Sequence, residues 1–133
     1  MRTILDTGPL VALLNRKDEH HAWTIAALDR LSPPLWTCEP VLTQAAHLTG
    51  AGRQILAMLS AGALRIGLEL EDQSDAIAAL LGRYGAQMDL ADACVVRMSE
   101  LTRKSRVFTL DRRGFSFVRR NGRDVIPLLA PGL

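Results

Sequence analysis

The sequence predicts one α/β domain built on a parallel sheet, and three observations carry that expectation. Short apolar runs alternate with segments of helical periodicity along the chain, the pattern of repeated β–α units. At 133 residues, 48% apolar and 23% charged, the chain can bury one core but is too short for two ordinary domains. No repeat, low-complexity stretch or linker divides it, so a single domain over residues 1–133 is expected. The same composition excludes collagen-like structure and disorder.

Each element follows from a local signal. Thr3-Ile4-Leu5 reads as the first strand. Gly8-Pro9 opens a helix over 8–14, with Gly8 as cap and Pro9 at the first helical position, where no N–H is lost. A second helix follows His20, sets Trp23, Ala27 and Leu31 on one face, and stops before Pro33-Pro34. Leu35-Trp36-Thr37 is the second strand. Pro40 starts a third helix with Val41, Ala45 and Leu48 as its inner stripe. A fourth helix spans about 52–61 and is closed by Gly62. A third strand covers 64–67. Glu71 and Asp72 favour the positive end of a fifth helix that buries Ile77, Leu80, Leu81 and Tyr84 and breaks at Gly85. A sixth helix runs over about 90–102. Val107-Phe108-Thr109-Leu110 is the fourth strand, and the segment after the Asn121-Gly122 turn, Val125-Ile126, is a candidate fifth.

Several function classes fall away. The longest apolar runs, such as 76–81, are too short to cross a bilayer, and Asp6 interrupts the apolar start, so neither a membrane span nor a secretory leader is expected. Cys38 and Cys94 lack metal-ligand spacing and are too few for a disulfide framework; they read as small buried apolar residues in a reducing cytoplasm. Gly-rich phosphate loops of Walker or Rossmann type and a nucleophile elbow are both missing. Adjacent His20 and His21 cannot share one helical face and read as helix-start surface, while His47, Trp23 and Trp36 are expected to pack.

The net charge of +2 conceals an asymmetry. Residues 97–123 hold nine Lys/Arg against Glu100 and Asp111 alone; the remainder carries seven basic and twelve acidic residues. A cation site beside a polyanion track has this charge pattern, and so has a solvated helix followed by a solvated hairpin.

Four acids stand out by position. Asp6 follows the first strand and, with Gly8 as cap, has no structural task at the edge where open α/β sheets place their ligands. Asp111 ends the fourth strand in the same way, although Asp also opens turns and short helices. Asp89 and Asp92 bracket the start of the sixth helix. A capping box explains Asp89 well; it explains Asp92 less well, because Asp92 shares a stripe with Val95, Val96 and Ser99, where a carboxylate is costly unless paired or metal-bound. Gln44 falls in the inner stripe of the third helix and needs a partner, backbone or otherwise. If the first and fourth strands are neighbours, all these groups surround one cleft. Clustered carboxylates repel in low dielectric and call for a cation, and oxygen-only ligands select Mg²⁺ or Mn²⁺.

Leu5-Asp6-Thr7-Gly8-Pro9-Leu10-Val11-Ala12-Leu13-Leu14, Asp89-Leu90-Ala91-Asp92-Ala93 and Thr109-Leu110-Asp111-Arg112-Arg113-Gly114-Phe115, in this order and at these separations, resemble a PIN domain, and within that family the VapC-like toxin ribonucleases. The resemblance runs essentially end to end. It implies a three-layer sandwich, α/β, with a central four- to five-stranded parallel sheet flanked by helices. It also implies a metal-dependent endoribonuclease whose products end in 5′-phosphate and 3′-hydroxyl. The acids carried over are Asp6, Asp92 and Asp111, with Asp89 as accessory, holding Mg²⁺ or Mn²⁺. The family's Glu on the third helix is matched here by Gln44, whose oxygen can ligate a hard cation but brings no charge. Weaker metal binding, with activity reduced or shifted toward high Mn²⁺, is therefore expected. Glu39 lies about 140° around the helix from Gln44 and is no obvious substitute. Thr7 and Thr109 are candidates to hydrogen-bond the acids, and Arg112, Arg113, Arg119, Arg120 and Arg123 to follow an RNA phosphate backbone. The resemblance further implies a VapB-like antitoxin and a homodimer. Two other classes compete: a PIN-fold module that holds RNA or protein without cleaving, and a small-molecule Mg²⁺ phosphohydrolase. The second is disfavoured by the size of the basic tract and by the lack of a second Asp two residues after Asp6.

Overall fold

The computed structural model describes all residues, Met1–Leu133. In chain order the elements are β1 (Arg2–Leu5), α1 (Thr7–Leu14), α2 (His21–Leu28), β2 (Leu35–Thr37), α3 (Glu39–Thr49), α4 (Gly52–Ser60), β3 (Leu64–Ile66), α5 (Ser74–Tyr84), a 3-10 turn (Gly85–Gln87), α6 (Leu90–Leu101), β4 (Ser105–Phe108), α7 (Arg112–Ser116), β5 (Arg119–Arg120), β6 (Asp124–Val125) and β7 (Leu128–Leu129).

Five strands form one sheet in the order β3-β2-β1-β4-β7, and every pairing within it is parallel. Helices flank the sheet. Parallel strands covered on both faces read as unbroken apolar runs rather than alternating ones, and β1 and β4 do: Ile4, Leu5, Val107 and Phe108 are all buried. Leu5 pairs with Phe108, which sets the ends of these two central strands side by side. The chain first steps from β1 outward to β2 and β3, then returns past β1 to β4. The order therefore reverses between β1 and β4, and the crevice at the carboxyl ends of those strands is the topological switch point, the usual ligand position in open α/β sheets.

Helix α6 packs against β1, β4 and α5 and is buried around most of its girth, from Ala91, Ala93 and Cys94 through Val95, Val96, Met98 and Ser99. α1 packs on α2 and α3, and α3 on α4. Cys38, at the end of β2, and Cys94 are fully buried and in contact; contact with Cys94 and burial push the Cys38 thiol up.

Some sequence expectations are corrected. The fifth strand of the sheet is Leu128–Leu129, not Val125-Ile126; Val125 belongs to a separate antiparallel ribbon, β5 with β6, turned by Asn121 and Gly122, both at positive φ. α1 begins at Thr7, so Asp6, not Gly8, occupies the cap position, and Pro9 sits at the third helical residue. Leu48 is 62% exposed, because α3 turns its last residues out of the core; His47 is exposed with it. Leu31 lies beyond the end of α2. Glu71 and Asp72 sit in turns ahead of α5, whose first-turn acid is Asp75. No helix is long and apolar enough to cross a membrane.

Candidate metal centre

A helix that directly follows a strand starts at the carboxyl edge of the sheet, as α1, α3 and α7 do after β1, β2 and β4, and a hydrogen bond from Gln44 to Asp89 brings the start of α6 to the same place. The beginnings of α1, α3, α6 and α7 therefore collect around the ends of β1 and β4, and with them Asp6, Gln44, Asp89, Asp92 and Asp111.

Asp6 is the most constrained of these. It is 5% exposed, its N–H donates to the Phe108 carbonyl at 3.0 Å, and the Thr109 hydroxyl donates to its Oδ2 at 2.7 Å. Although it holds the cap position, its side chain makes no capping bond. Burial pushes its carboxyl pKa up; hydrogen bonds from Thr109 and the Thr7 backbone oppose the rise, and the charges of Asp111 and Asp89 add to it. Thr109 is itself fully buried and also accepts the Asp111 N–H at 2.9 Å, so one hydroxyl fixes the spacing of two acids.

Asp89 and Asp92 form a reciprocal capping box: Asp92 N–H donates to Asp89 Oδ1 at 2.8 Å and Asp89 N–H to Asp92 Oδ2 at 3.1 Å. The cap explains both positions, yet it leaves Asp92 in a poor environment. Burial, with the neighbouring charges of Asp89 and Asp6 adding to it and the backbone bond opposing it, raises its pKa to about 7. Asp111 caps α7 through the Gly114 N–H at 2.9 Å.

Gln44 joins the two sides of the crevice. The Thr7 hydroxyl donates to its Oε1 at 2.7 Å, and its Nε2 donates to Asp89 Oδ2 at 3.3 Å. Its partners are side chains rather than backbone. Thr7 thus reaches Gln44 with its hydroxyl, whereas Thr109 bonds an acid directly. With Asp92 N–H on one oxygen and Gln44 on the other, Asp89 has both oxygens engaged; it positions the start of α6. Glu39 is exposed, and it lines with Gln44, His47, Leu70, Asp89 and Leu90 a groove of about 590 Å³ beside the crevice.

No Lys, Arg or His approaches Asp6, Asp89, Asp92 or Asp111 within 4.0 Å; the ion pairs of the molecule are Glu19–His20 and Arg97–Glu100. The buried Asp6 and half-buried Asp92, with exposed Asp89 and Asp111 beside them, are thus held by neutral donors alone. The donor set, carboxylate oxygens with one amide oxygen and no imidazole or thiolate, fits a hard divalent cation. Each cap uses one oxygen, Asp92 Oδ2 and Asp111 Oδ1, and leaves the other free, but no three His, Cys, Asp or Glu side chains converge closely enough to enclose an ion. Asp92 and Asp111 would have to swing toward Asp6 to close on one.

The sequence motifs carry two glycines whose reason is geometric. A Cβ on Gly8 would meet the Leu110 side chain at 3.1 Å, and one on Gly114 would overlap the Asp111 carboxylate. Both let a helix start press against an acid-bearing turn. Phe115 and Val118, which line the narrow cleft beside Asp92 and Asp111, carried no sequence signal beyond being apolar.

The arginine tract divides. Arg112 and Arg113 stand exposed on α7 beside Asp111, with Arg112 Nη1 donating to the Gly132 carbonyl at 2.9 Å. Arg119 Nη1 turns back to the Ser116 and Val118 carbonyls at 2.7 and 3.2 Å. Arg120 is buried, not a surface residue, and with Arg123 lies toward the far end of α6.

No family model matches the chain, and no curated protein does.

The Asp92 environment has a consequence for stability in the absence of divalent ions. A carboxyl whose folded pKa is near 7 keeps its proton where the unfolded chain, near 4, has released it. Its contribution is therefore present at low pH and lost as pH rises from about 4 to 7. Melting in chelator should show wild type losing ground to Asp92→Asn across that window; a constant difference would contradict the raised pKa.

Proposed function

We propose that the protein is a divalent-metal-dependent endoribonuclease with a PIN-like catalytic edge, the cytoplasmic toxin of a VapBC-like pair. The observation that carries this reading is Asp6, a buried carboxylate at the topological switch point with Asp111 and Asp89 in its field and no cationic side chain to neutralise any of them. The three sequence motifs that resemble the family meet at this edge.

Mg²⁺ or Mn²⁺ held by Asp6, Asp92 and Asp111 would supply the Lewis acid that polarises the scissile phosphate and acidifies the attacking water. The chain's own residues do the rest. Thr109 keeps the Asp6 carboxylate in one orientation and ties the Asp111 backbone to it. Asp89 and Gln44 hold the start of α6, so that Asp92 faces the crevice. The Asp92 carboxyl has a proton to release on binding a cation, so affinity should rise as pH passes 7. Arg112 and Arg113 flank the crevice where an RNA backbone would pass. A VapB-like antitoxin and a homodimer belong to the same proposal.

The test is cleavage of structured and unstructured RNA with Mn²⁺, Mg²⁺ or chelator. Cleavage with either metal and none in chelator is expected; metal-independent cleavage, or none with any metal, would overturn the proposal. Position 44 is read separately. Gln44→Glu adds a charge beside Asp89 and should raise Mn²⁺ affinity about tenfold, on the order of 1.4 kcal/mol; equal affinities in calorimetry would remove position 44 from the site.

A second reading is favoured by one feature, the commitment of Gln44 and the capped acids to each other. In it the edge holds RNA or a protein without chemistry. RNA binding with no cleavage at saturating Mn²⁺ selects it.

A further inference from the structure

Arg120 is 8% exposed, yet no carboxylate lies within 4.0 Å of it. Its one hydrogen bond runs from Nη1 to the Ser99 carbonyl at 3.5 Å, the outer limit of such a contact. The guanidinium nitrogens that make no bond are not sealed from water; they open on solvent and carry a charge with no counter-ion beyond the negative end of the α6 dipole. The remaining donors have no protein acceptor, and Arg120 lines a polar cleft of about 360 Å³ between the end of α6 and the β5–β6 ribbon.

Arg103 and Arg123, both exposed, stand on the walls of this cleft. Two acids are also present. Glu100 is spent: Oε1 accepts from Arg97 Nη1 at 3.2 Å and Oε2 from the Asn121 N–H at 2.6 Å. Asp124 is exposed and makes no ion pair. Three arginines line one cleft, and one of them, the buried Arg120, lacks a carboxylate partner; guanidinium forks are the side chains best suited to a phosphate.

We propose that this cleft binds a phosphate group. Resting on the nuclease reading above, that phosphate belongs to the RNA strand rather than to a free ion. Helix α6 is buried and serves as a ruler rather than a track: from Asp92, at the crevice, to Ser99, beside Arg120, it spans about 10 Å, or about three nucleotides of a stacked strand, so the cleft fixes which phosphate lies at the crevice. Arg103, outside the apparent track in the sequence, belongs to it.

The test follows backbone amides by NMR in chelator, where no cleavage occurs, with two probes: inorganic phosphate and a single-stranded RNA decamer. Both should shift Arg103, Asn121 and Arg123 saturably, and the RNA should also shift residues at the start of α6. Arg103→Gln with Arg123→Gln, both on exposed side chains, should weaken phosphate about tenfold and lower the salt slope of RNA binding by about two. Arg120→Lys keeps the charge without the fork and should also weaken phosphate. If the Arg120 variant does not fold, the double variant decides alone. Shifts elsewhere only, or affinities unchanged in the double variant, overturn the site. Phosphate binding without RNA binding supports the anion site and overturns its assignment to the strand. Failure of Mn²⁺-dependent cleavage would overturn the nuclease reading while leaving phosphate binding at Arg120 standing.

Discussion

Asp92→Asn is expected to lower metal-dependent RNA cleavage by at least about 10³-fold, roughly 4 kcal/mol of transition-state stabilisation, while the protein folds as before. The substitution separates two tasks of one side chain. As the third residue of α6, Asp92 accepts the Asp89 N–H at 3.1 Å, and an Asn oxygen can do the same, so the capping box survives. As a carboxyl raised to about 7 by burial, it is already half-protonated near neutral pH, and Asn resembles the protonated form. What Asn cannot supply is the negative charge offered to a cation once the proton leaves. Unchanged far-UV dichroism with lost cleavage is the expected pair of results. Retained cleavage would remove Asp92 from the chemistry; lost folding would make it a cap alone.

Thr109→Val should cost about 2–3 kcal/mol of stability, with cleavage lost as well. Val fills the same volume, so packing beside β4 changes little, but the hydroxyl disappears from the middle of a relay. Asp6 Oδ2 loses a 2.7 Å donor in a fully buried position, and the Asp111 N–H loses its 2.9 Å acceptor. Removing one partner of a buried, charged hydrogen bond leaves the other desolvated and unsatisfied, which is worth about 1.5–3 kcal/mol. Urea unfolding measures it. Thr109→Ser, which keeps the hydroxyl, should recover most of the loss; since Val keeps the methyl group and Ser the hydroxyl, a stable Val variant beside a destabilised Ser variant would trace the effect to the methyl group instead.

Much of this geometry was legible in the order of residues. The apolar runs at Ile4-Leu5 and Val107-Phe108 marked strands buried on both faces, and the acids just beyond them marked the working edge. Asp6 looked functional because Pro9 seemed to move the cap to Gly8. The cap is in fact Asp6, and the better reason is that its side chain ignores the cap and turns to Thr109. The fifth strand escaped because Val125-Ile126 and Leu128-Leu129 are equally apolar, and only the β5–β6 ribbon shows which pair is free to reach β4. Gln44 was visible as a polar residue in an apolar stripe, but its partners, Thr7 and Asp89, are 37 and 45 residues away. The burial of Arg120 had no local signal, since it depends on where the ribbon lands on α6.

The central claim is that carboxylates gathered at one rim of the sheet are relieved by a hard divalent ion. Thermal melting of wild type and Asp6→Asn against Mn²⁺ concentration tests it without reference to RNA. A ligand that binds only the folded state stabilises by RT ln(1 + [L]/Kd), about 2.7 kcal/mol at a hundredfold excess over Kd. Wild type should melt low in chelator and rise steadily with Mn²⁺, whereas Asp6→Asn, with one buried charge fewer, should melt higher in chelator and barely respond. A wild-type melting temperature that is flat in Mn²⁺, or that rises equally in both proteins, would contradict the account.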